Sequence, residues 1–281
     1  MAAPVTAAPA TGSPGQGLEI SPPVIELTAD PGQTVTATIR VRNVTQGILI
    51  AKGKADDFGA SNDEGGQPKL LLDETGATRY SLKYWVPNVP DMQLAPGELK
   101  TTKISITVPA NAEPGGHFGV IRFTAVPPDL QGTGVALSAS VGSLVLLKVS
   151  GPVTEKLSLA EFATTKGATK TSFFESGPVD FLVRIKNEGS VHEKAQGSIT
   201  VTGGLGQKLN PVPVNDKGGN VLPDSIRRFE QTLKNRQLFG HYTAKLTLTY
   251  GGKQKLEQSI GFWVVPWKLL LLALIGPGCA S

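Results

Sequence analysis

Two observations make this an all-β chain of two successive sandwich domains. Its strands alternate apolar with polar residues, and one set of landmarks occurs twice in the same order. The composition agrees: Gly (33) and Pro (21) are abundant among 281 residues, and no stretch carries the 3.6-residue apolar period of a long amphipathic helix. A chain of this length can fold as two domains, each with its own core.

Residues 1–17 open with "AAPVTAAPATGSPGQG", a low-complexity tract expected to be a disordered, extended leader. No basic region and apolar run follow Met1, so a secretory signal is not expected there. The tract resembles the start of a mature exported protein just past an Ala-rich cleavage site.

The first domain is expected at 18–150. A short strand from Leu18 is broken by Pro22-Pro23, a second strand follows, and Asp30-Pro31-Gly32 turns the chain. From Thr34 to Asn43, Val35, Ala37, Ile39 and Val41 share one face, and Thr36, Thr38, Arg40 and Arg42 the other. One buried and one wet face is the pattern of an antiparallel sandwich sheet.

The repeat places the second domain at 151–262, after Gly151-Pro152. "FLVRIKNEG" (Phe181–Gly189) echoes "ATIRVRNVT" (Ala37–Thr45), "VLPDSIR" echoes "LAPGELK", and Gly240-His241-Tyr242 echoes Gly116-His117-Phe118. The interval from Asn43 to Pro96 is 53 residues, that from Asn187 to Pro223 is 36. Pro96 to His117 is 21 residues and Pro223 to His241 is 18. The copies therefore share a frame, read as immunoglobulin-like, and the first carries an insertion over about 46–92.

That insertion, "KADDFGASNDEGGQPKLLLDETGATRYSLKYWVPNVPDM", is acidic, irregular and aromatic, and loops on a rigid sandwich are where binding resides. Phe58, Tyr80, Tyr84 and Trp85, with His117, are the candidate binding residues. On a strand, Tyr84 and Trp85 would point to opposite faces, one into the core and one, with Tyr80, toward a sugar or peptide. Aromatic core packing is the competing explanation. His117 and His241 hold equivalent places, which favours a framework role over ligand contact. Asp56-Asp57 and Asn62–Gly66 lack the spacing of a calcium loop and are expected to be a solvated acidic loop. "GGLGQK" (Gly203–Lys208) reads as a hairpin turn, and Asn43-Val44-Thr45 as a strand-end turn although it fits a glycosylation acceptor.

No metal site, cofactor or catalytic constellation is expected. Cys279 is the single cysteine, so no intrachain disulfide or thiolate site can form. No His pair has ligand spacing, and no serine sits in a nucleophile elbow. Net charge is +4 without a Lys/Arg block, which argues against a nucleic-acid groove. An enzyme acting on wall glycan would need two carboxylates facing each other across a cleft, with Asp57 and Glu64 as its test positions.

The final segment, 263–281, contains "FWVVPWKLLLLALIG", about fourteen largely apolar residues where a spanning helix needs roughly 20. Trp263, Trp267 and Lys268 have the character of residues at a membrane interface. A truncated membrane anchor is favoured over a tail that dips without spanning.

"ISPPVIELTADPGQTVTATIRVRN", "EPGGHFGVIRF" and the terminal "FWVVPWKLLLLALIG" together resemble the bacterial WxL-interacting cell-surface proteins, closely over Leu18–Ser150 and more loosely beyond. The resemblance implies tandem immunoglobulin-like domains, a signal peptide and a C-terminal membrane helix. It further implies a first domain associated with peptidoglycan and a second with other surface or host proteins. The sequence thus predicts a non-catalytic envelope protein, anchored outside the membrane and binding wall polymer or partner surface proteins. The alternative is a chaperone-like assembly module that binds secreted or pilus-like subunits by β-strand addition.

Overall fold

The computed structural model describes residues 17–72, 75–126, 139–204 and 206–268. The expected leader, up to residue 16, and the apolar segment 269–281 lie outside the described residues. The chain divides into two compact units, one of Met1–Gly59 with Leu70–Pro152, the other of Ala60–Lys69 with Val153–Ser281. The architecture is all-β in both, apart from a few residues noted below.

The first unit holds β1 (Leu18–Ser21), β2 (Val24–Ala29), β3 (Thr34–Asn43), β4 (Leu49–Ala60), β5 (Pro68–Leu71), β6 (Met92–Leu94), β7 (Leu99–Thr107), β8 (Gly115–Val126) and β9 (Ser140–Val149). One sheet runs β1-β3-β7; the other runs β2-β9-β8-β4-β5, with β6 also on β4. The Pro22-Pro23 break hands the first strand from one sheet to the other, because neither proline can donate to a ladder. β1 pairs antiparallel with β3, and β2 pairs parallel with β9, Val24 opposite Leu144. The alternation along β3 is realised: Ala37, Ile39 and Val41 are fully buried and face Ile121, Phe123, Val145 and Leu147 of the second sheet across one core.

The second unit holds β10 (Leu157–Lys166), β11 (Thr169–Lys170), β12 (Phe173–Phe174), β13 (Val179–Asn187), β14 (Gln196–Gly203), β15 (Val212–Val214), β16 (Ile226–Leu233), β17 (Gly240–Tyr250) and β18 (Gln254–Val264). Its sheets run β11-β10-β13-β16 and β12-β18-β17-β14-β15. Between them Phe181 meets Phe162 and Phe262, each at 6.0 Å, and Tyr242 stacks on Phe262 at 5.5 Å. β18 extends to Val264, so Trp263 is a strand residue and not the start of a separate segment.

The repeat has a physical basis in two buried asparagines. Asn43 Nδ2 donates to the carbonyls of Gly47 (2.7 Å) and Leu94 (3.1 Å), while its Oδ1 accepts from Thr45 N (2.9 Å). Asn187 Nδ2 donates to Val191 and Val221, both at 2.8 Å, and its Oδ1 accepts from Gly189 N (2.8 Å). Backbone bonds repeat too: Asn43 N donates to Glu98 O and Asn187 N to Ser225 O. Each asparagine thereby ties the end of its strand to the turn around Pro96 or Pro223. Gly97 has φ +73° and Asp224, at the matching position, φ +56°. An Asp side chain tolerates that left-handed backbone better than most.

The segment 60–69 continues from β4 and belongs with the second unit. Glu64 grips Arg184 of β13 through two bonds of 2.6 and 2.7 Å, and Arg184 also reaches Glu161 at 3.2 Å. The Glu64 carbonyl accepts from Arg228 N (2.8 Å) on the edge of β16. Gly66, at φ +77°, sits so close to the Arg227 guanidinium that a Cβ there would lie 2.3 Å from it. The Arg184 hydrogen bonds hold the Glu64 carboxyl below its ordinary value, and the Lys170 ammonium does the same to Glu161, helped by Arg184. The expectation of a solvated acidic loop is therefore corrected for Glu64, whose backbone and side chain both bond to the second unit.

Asn43→Ala and Asn187→Ala each remove three buried or part-buried hydrogen bonds and are each expected to lower stability by about 2–4 kcal/mol. Thr38→Ala, on the wet face, should change it by less than about 0.5 kcal/mol; urea denaturation distinguishes the two. A Glu whose folded value is depressed stabilises the protein above its unfolded value and loses that contribution as pH falls. Glu64→Gln should therefore flatten the loss of stability below about pH 4.5, read from denaturation midpoints.

Candidate functional site

Two surfaces of the first unit carry candidate function: the insertion around His117 and the leading edge of β9. β4 accompanies β8 from Ile50 opposite Val126 as far as Asp57 opposite Gly119. Beyond that point the insertion returns: Ser81 bridges Phe118, and Phe118 N donates to Tyr80 O (2.8 Å). β4 is thus a framework strand, matched by β14 beside β17, and the irregular excess over the second copy follows it. Asp57 Oδ1 accepts from Leu82 N and Lys83 N, both at 2.9 Å, which fixes the returning chain as a single 3₁₀ turn, Lys83–Trp85.

The candidate aromatics gather here. Phe58 and Tyr80 each lie 5.9 Å from Phe118, and Trp85 covers the His117 ring at 4.1 Å. Phe58 and His117 are buried, Tyr80 and Trp85 half-buried, and only Tyr84 is open, at 56 %. Tyr84 and Trp85 diverge because they occupy a helical turn, not opposite faces of a strand as expected. The Tyr84 hydroxyl donates to Thr75 O (3.1 Å), and the Lys83 ammonium stands 5.1 Å from its ring. Asp56 and Asp57 correct the expected solvated loop: both are 2 % exposed, Asp56 paired with Arg122 at 2.9 Å. Alternation could not reveal this, since β4 is covered on one face by the core and on the other by the insertion.

His117 Nε2 lies 3.1 Å from the Glu113 carbonyl, and burial pushes its pKa below the ordinary His range against that carbonyl's pull. His241, its counterpart, is exposed, with Trp263 at 4.9 Å. Among the described residues no group of three or more His, Cys, Asp or Glu could hold a metal ion.

The edge of β9 was not foreseen from sequence. Ala125 N donates to Ala139 O (3.0 Å), so odd-numbered residues bond to β8 and even-numbered ones turn their N–H and C=O outward. β2 meets that outward edge only from Leu144, whose N–H donates to Pro23 O at 2.9 Å. Among the described residues, no strand pairs with the outward side of Ser140–Ser143. The stretch Ser-Val-Gly-Ser bears no charge. Several other edges are guarded: β7 carries Lys100 and Lys103, β18 carries Lys255 and Glu257, and the Glu64 carbonyl occupies Arg228 N on β16; the β1 side of β3 over Thr34–Ile39 is, like Ser140–Ser143, uncharged and unpaired among the described residues. The signal for this edge was the Pro22-Pro23 switch, which keeps the chain on β3 as far as Ser21 and brings it to β9 only from Val24.

Trp263, Trp267 and Lys268 lie at the end of β18, both tryptophans about half exposed, with Lys268 bonded to Glu175 at 2.9 Å. Among the described residues no helix is long and apolar enough to cross a membrane.

No protein-family model matches the sequence, and no curated protein matches it. Among solved structures the chain is similar to the class 5 fimbriae chaperone CfaA, at 17% identity and a TM-score of 0.44, over 86% of this chain and 98% of that one. It is also similar to the E. coli chaperone DraB, at 14% identity and 0.39, over 86% and 98%. A chain of the Salmonella enterica SafA pilin–SafB chaperone complex matches at 11% identity and 0.38, over 90% and 99%. At such scores the likeness says nothing of what this chain binds.

A histidine with a depressed folded value destabilises the fold as pH drops below its unfolded value, because only the unfolded chain takes up the proton there. The urea midpoint should fall as pH drops below about 6.5, and His117→Phe should flatten that part of the profile.

Proposed function

We propose that the protein is a non-catalytic binding module of the bacterial envelope, with two tandem immunoglobulin-like domains. It binds partner proteins by β-strand addition, as an assembly chaperone would. The observation that carries this reading is the edge of β9 at Ser140–Ser143, uncharged and, among the described residues, unpaired. An extended segment laid there continues the line that β2 begins and bonds to the outward groups of Ser140 and Gly142. Main-chain bonds supply affinity in such an arrangement, and alternate side chains supply selectivity. The residues before Ala139, Val135-Ala136-Leu137-Ser138, are uncharged as well and lie outside the described residues.

The envelope address rests on the resemblance to WxL-interacting proteins and on the apolar run after Lys268. Binding of peptidoglycan, which that resemblance also implies, competes with strand addition. Its best surface would be Tyr84 beside Lys83, a single open aromatic held by one hydrogen bond.

Ser140→Pro removes one outward N–H while leaving the β8 ladder intact. The full chain expressed in its native envelope should co-purify with one defined surface protein or subunit. Ser140→Pro should reduce that yield about tenfold without shifting the thermal midpoint. Equal yields from both, or retention by purified peptidoglycan in place of any protein, would overturn the proposal.

A further inference from the structure

Among its described residues, the second unit exposes its large apolar side chains at one end of a sheet. Among the described residues these are Phe173, Phe239, Trp263 and Trp267, between 45 and 66 % exposed. Phe173 stands opposite Trp263 across the β12–β18 pair, and Trp263 stands opposite His241 across β18–β17. Side chains that face each other across neighbouring strands share one face of a sheet. The His241 ring lies over Gly261, where a Cβ would come within 2.9 Å of its Nε2. Phe239 directly precedes β17, and Trp267 follows β18 by three residues. Because β17 and β18 are antiparallel, both fall at the same end of that sheet. The opposite end of these strands, around Tyr250 and Gln254, exposes no large apolar residue.

This end is also where the chain departs toward "LLLLALI", which begins at residue 269, one position beyond Lys268. The Lys268 ammonium is 5.6 Å from the Trp267 ring centroid. We infer that the row Phe173–Trp263–His241, flanked by Phe239 and Trp267, is a surface that rests in the headgroup layer of a lipid bilayer. The inference rests on the envelope reading above and deepens it: the fold itself, and not only the apolar tail, contacts the membrane. Three features select a bilayer over a protein partner. The patch is aromatic and amphipathic, with indole N–H and imidazole groups beside ring faces, the side-chain types enriched at membrane–water boundaries. It is continuous with an apolar stretch. It also forms the end of a sheet, beside the point where that stretch begins.

The test uses the full chain with phosphatidylcholine–phosphatidylglycerol vesicles, some containing lipid brominated close to the headgroup. Two variants isolate single tryptophans: Trp85→Phe with Trp267→Phe leaves Trp263, and Trp85→Phe with Trp263→Phe leaves Trp267. Both emissions should shift to the blue and be quenched by the brominated lipid. Phe173→Ser with Phe239→Ser should weaken vesicle partition about tenfold, with an unchanged thermal midpoint. Quenching of Trp267 with Trp263 unaffected would overturn the inference while leaving membrane attachment intact. Vesicles that quench neither tryptophan would remove the attachment itself. Unchanged partition of the double serine variant, with loss of a co-purifying protein, would assign the patch to that protein.

Discussion

A primary amide buried at the end of a strand is the constraint on which both halves of this protein depend. Asn43 and Asn187 are each wholly enclosed, and each donates to two carbonyls and accepts from one N–H. A strand leaving a sheet leaves unpaired main-chain groups, and inside a core these cannot turn to water. Asparagine alone among neutral side chains of its size offers two donors and an acceptor in one plane. Because its partners are a local carbonyl and one from a distant turn, it sets the strand end and the turn together. Everything hung on that turn inherits the fixed frame, including the strand that returns as β8 or β17.

On that common frame the two copies diverge by what covers the start of the returning strand. In the first, the insertion folds over it, buries Phe58 and His117, and stitches itself down through Asp57. In the second nothing comparable intervenes among the described residues, where His241 and its neighbours are exposed. The same Gly-His-aromatic sequence is thus interior in one copy and surface in the other. Their difference in chemistry follows from coverage, not from residue type.

The alternation along Thr34–Asn43, the strand break at Pro22-Pro23, the repeat and its turns were all legible in the sequence, because each depends on short-range spacing. What remained hidden depends on pairing across distance. Asp56 and Asp57 read as wet because acidic pairs in a Gly-rich stretch usually are, yet Arg122 and the backbone of Leu82 and Lys83 reach them only in the fold. The helical turn at Lys83–Trp85 carries no helical period, being one turn imposed by Asp57. Phe173 and Phe239 lie more than sixty residues apart in the chain, and their company with Trp263 exists only through strand register. The unguarded edge of β9 likewise emerges from where β2 begins, a property of two strands and not of one.

The excursion of residues 60–69 has a further consequence for how far this protein can be treated as modular. Its second unit is discontinuous: a piece cut at Val153 would carry Arg184 and Arg228 but not the carboxylate and carbonyl that engage them. On a ribosome, Glu64 emerges more than a hundred residues before the arginine it will hold. The duplicated frame suggests two interchangeable blocks, but ten residues from the first stretch of chain bond to the second's sheet, so a cut between the copies parts Glu64 from Arg184 and Arg228.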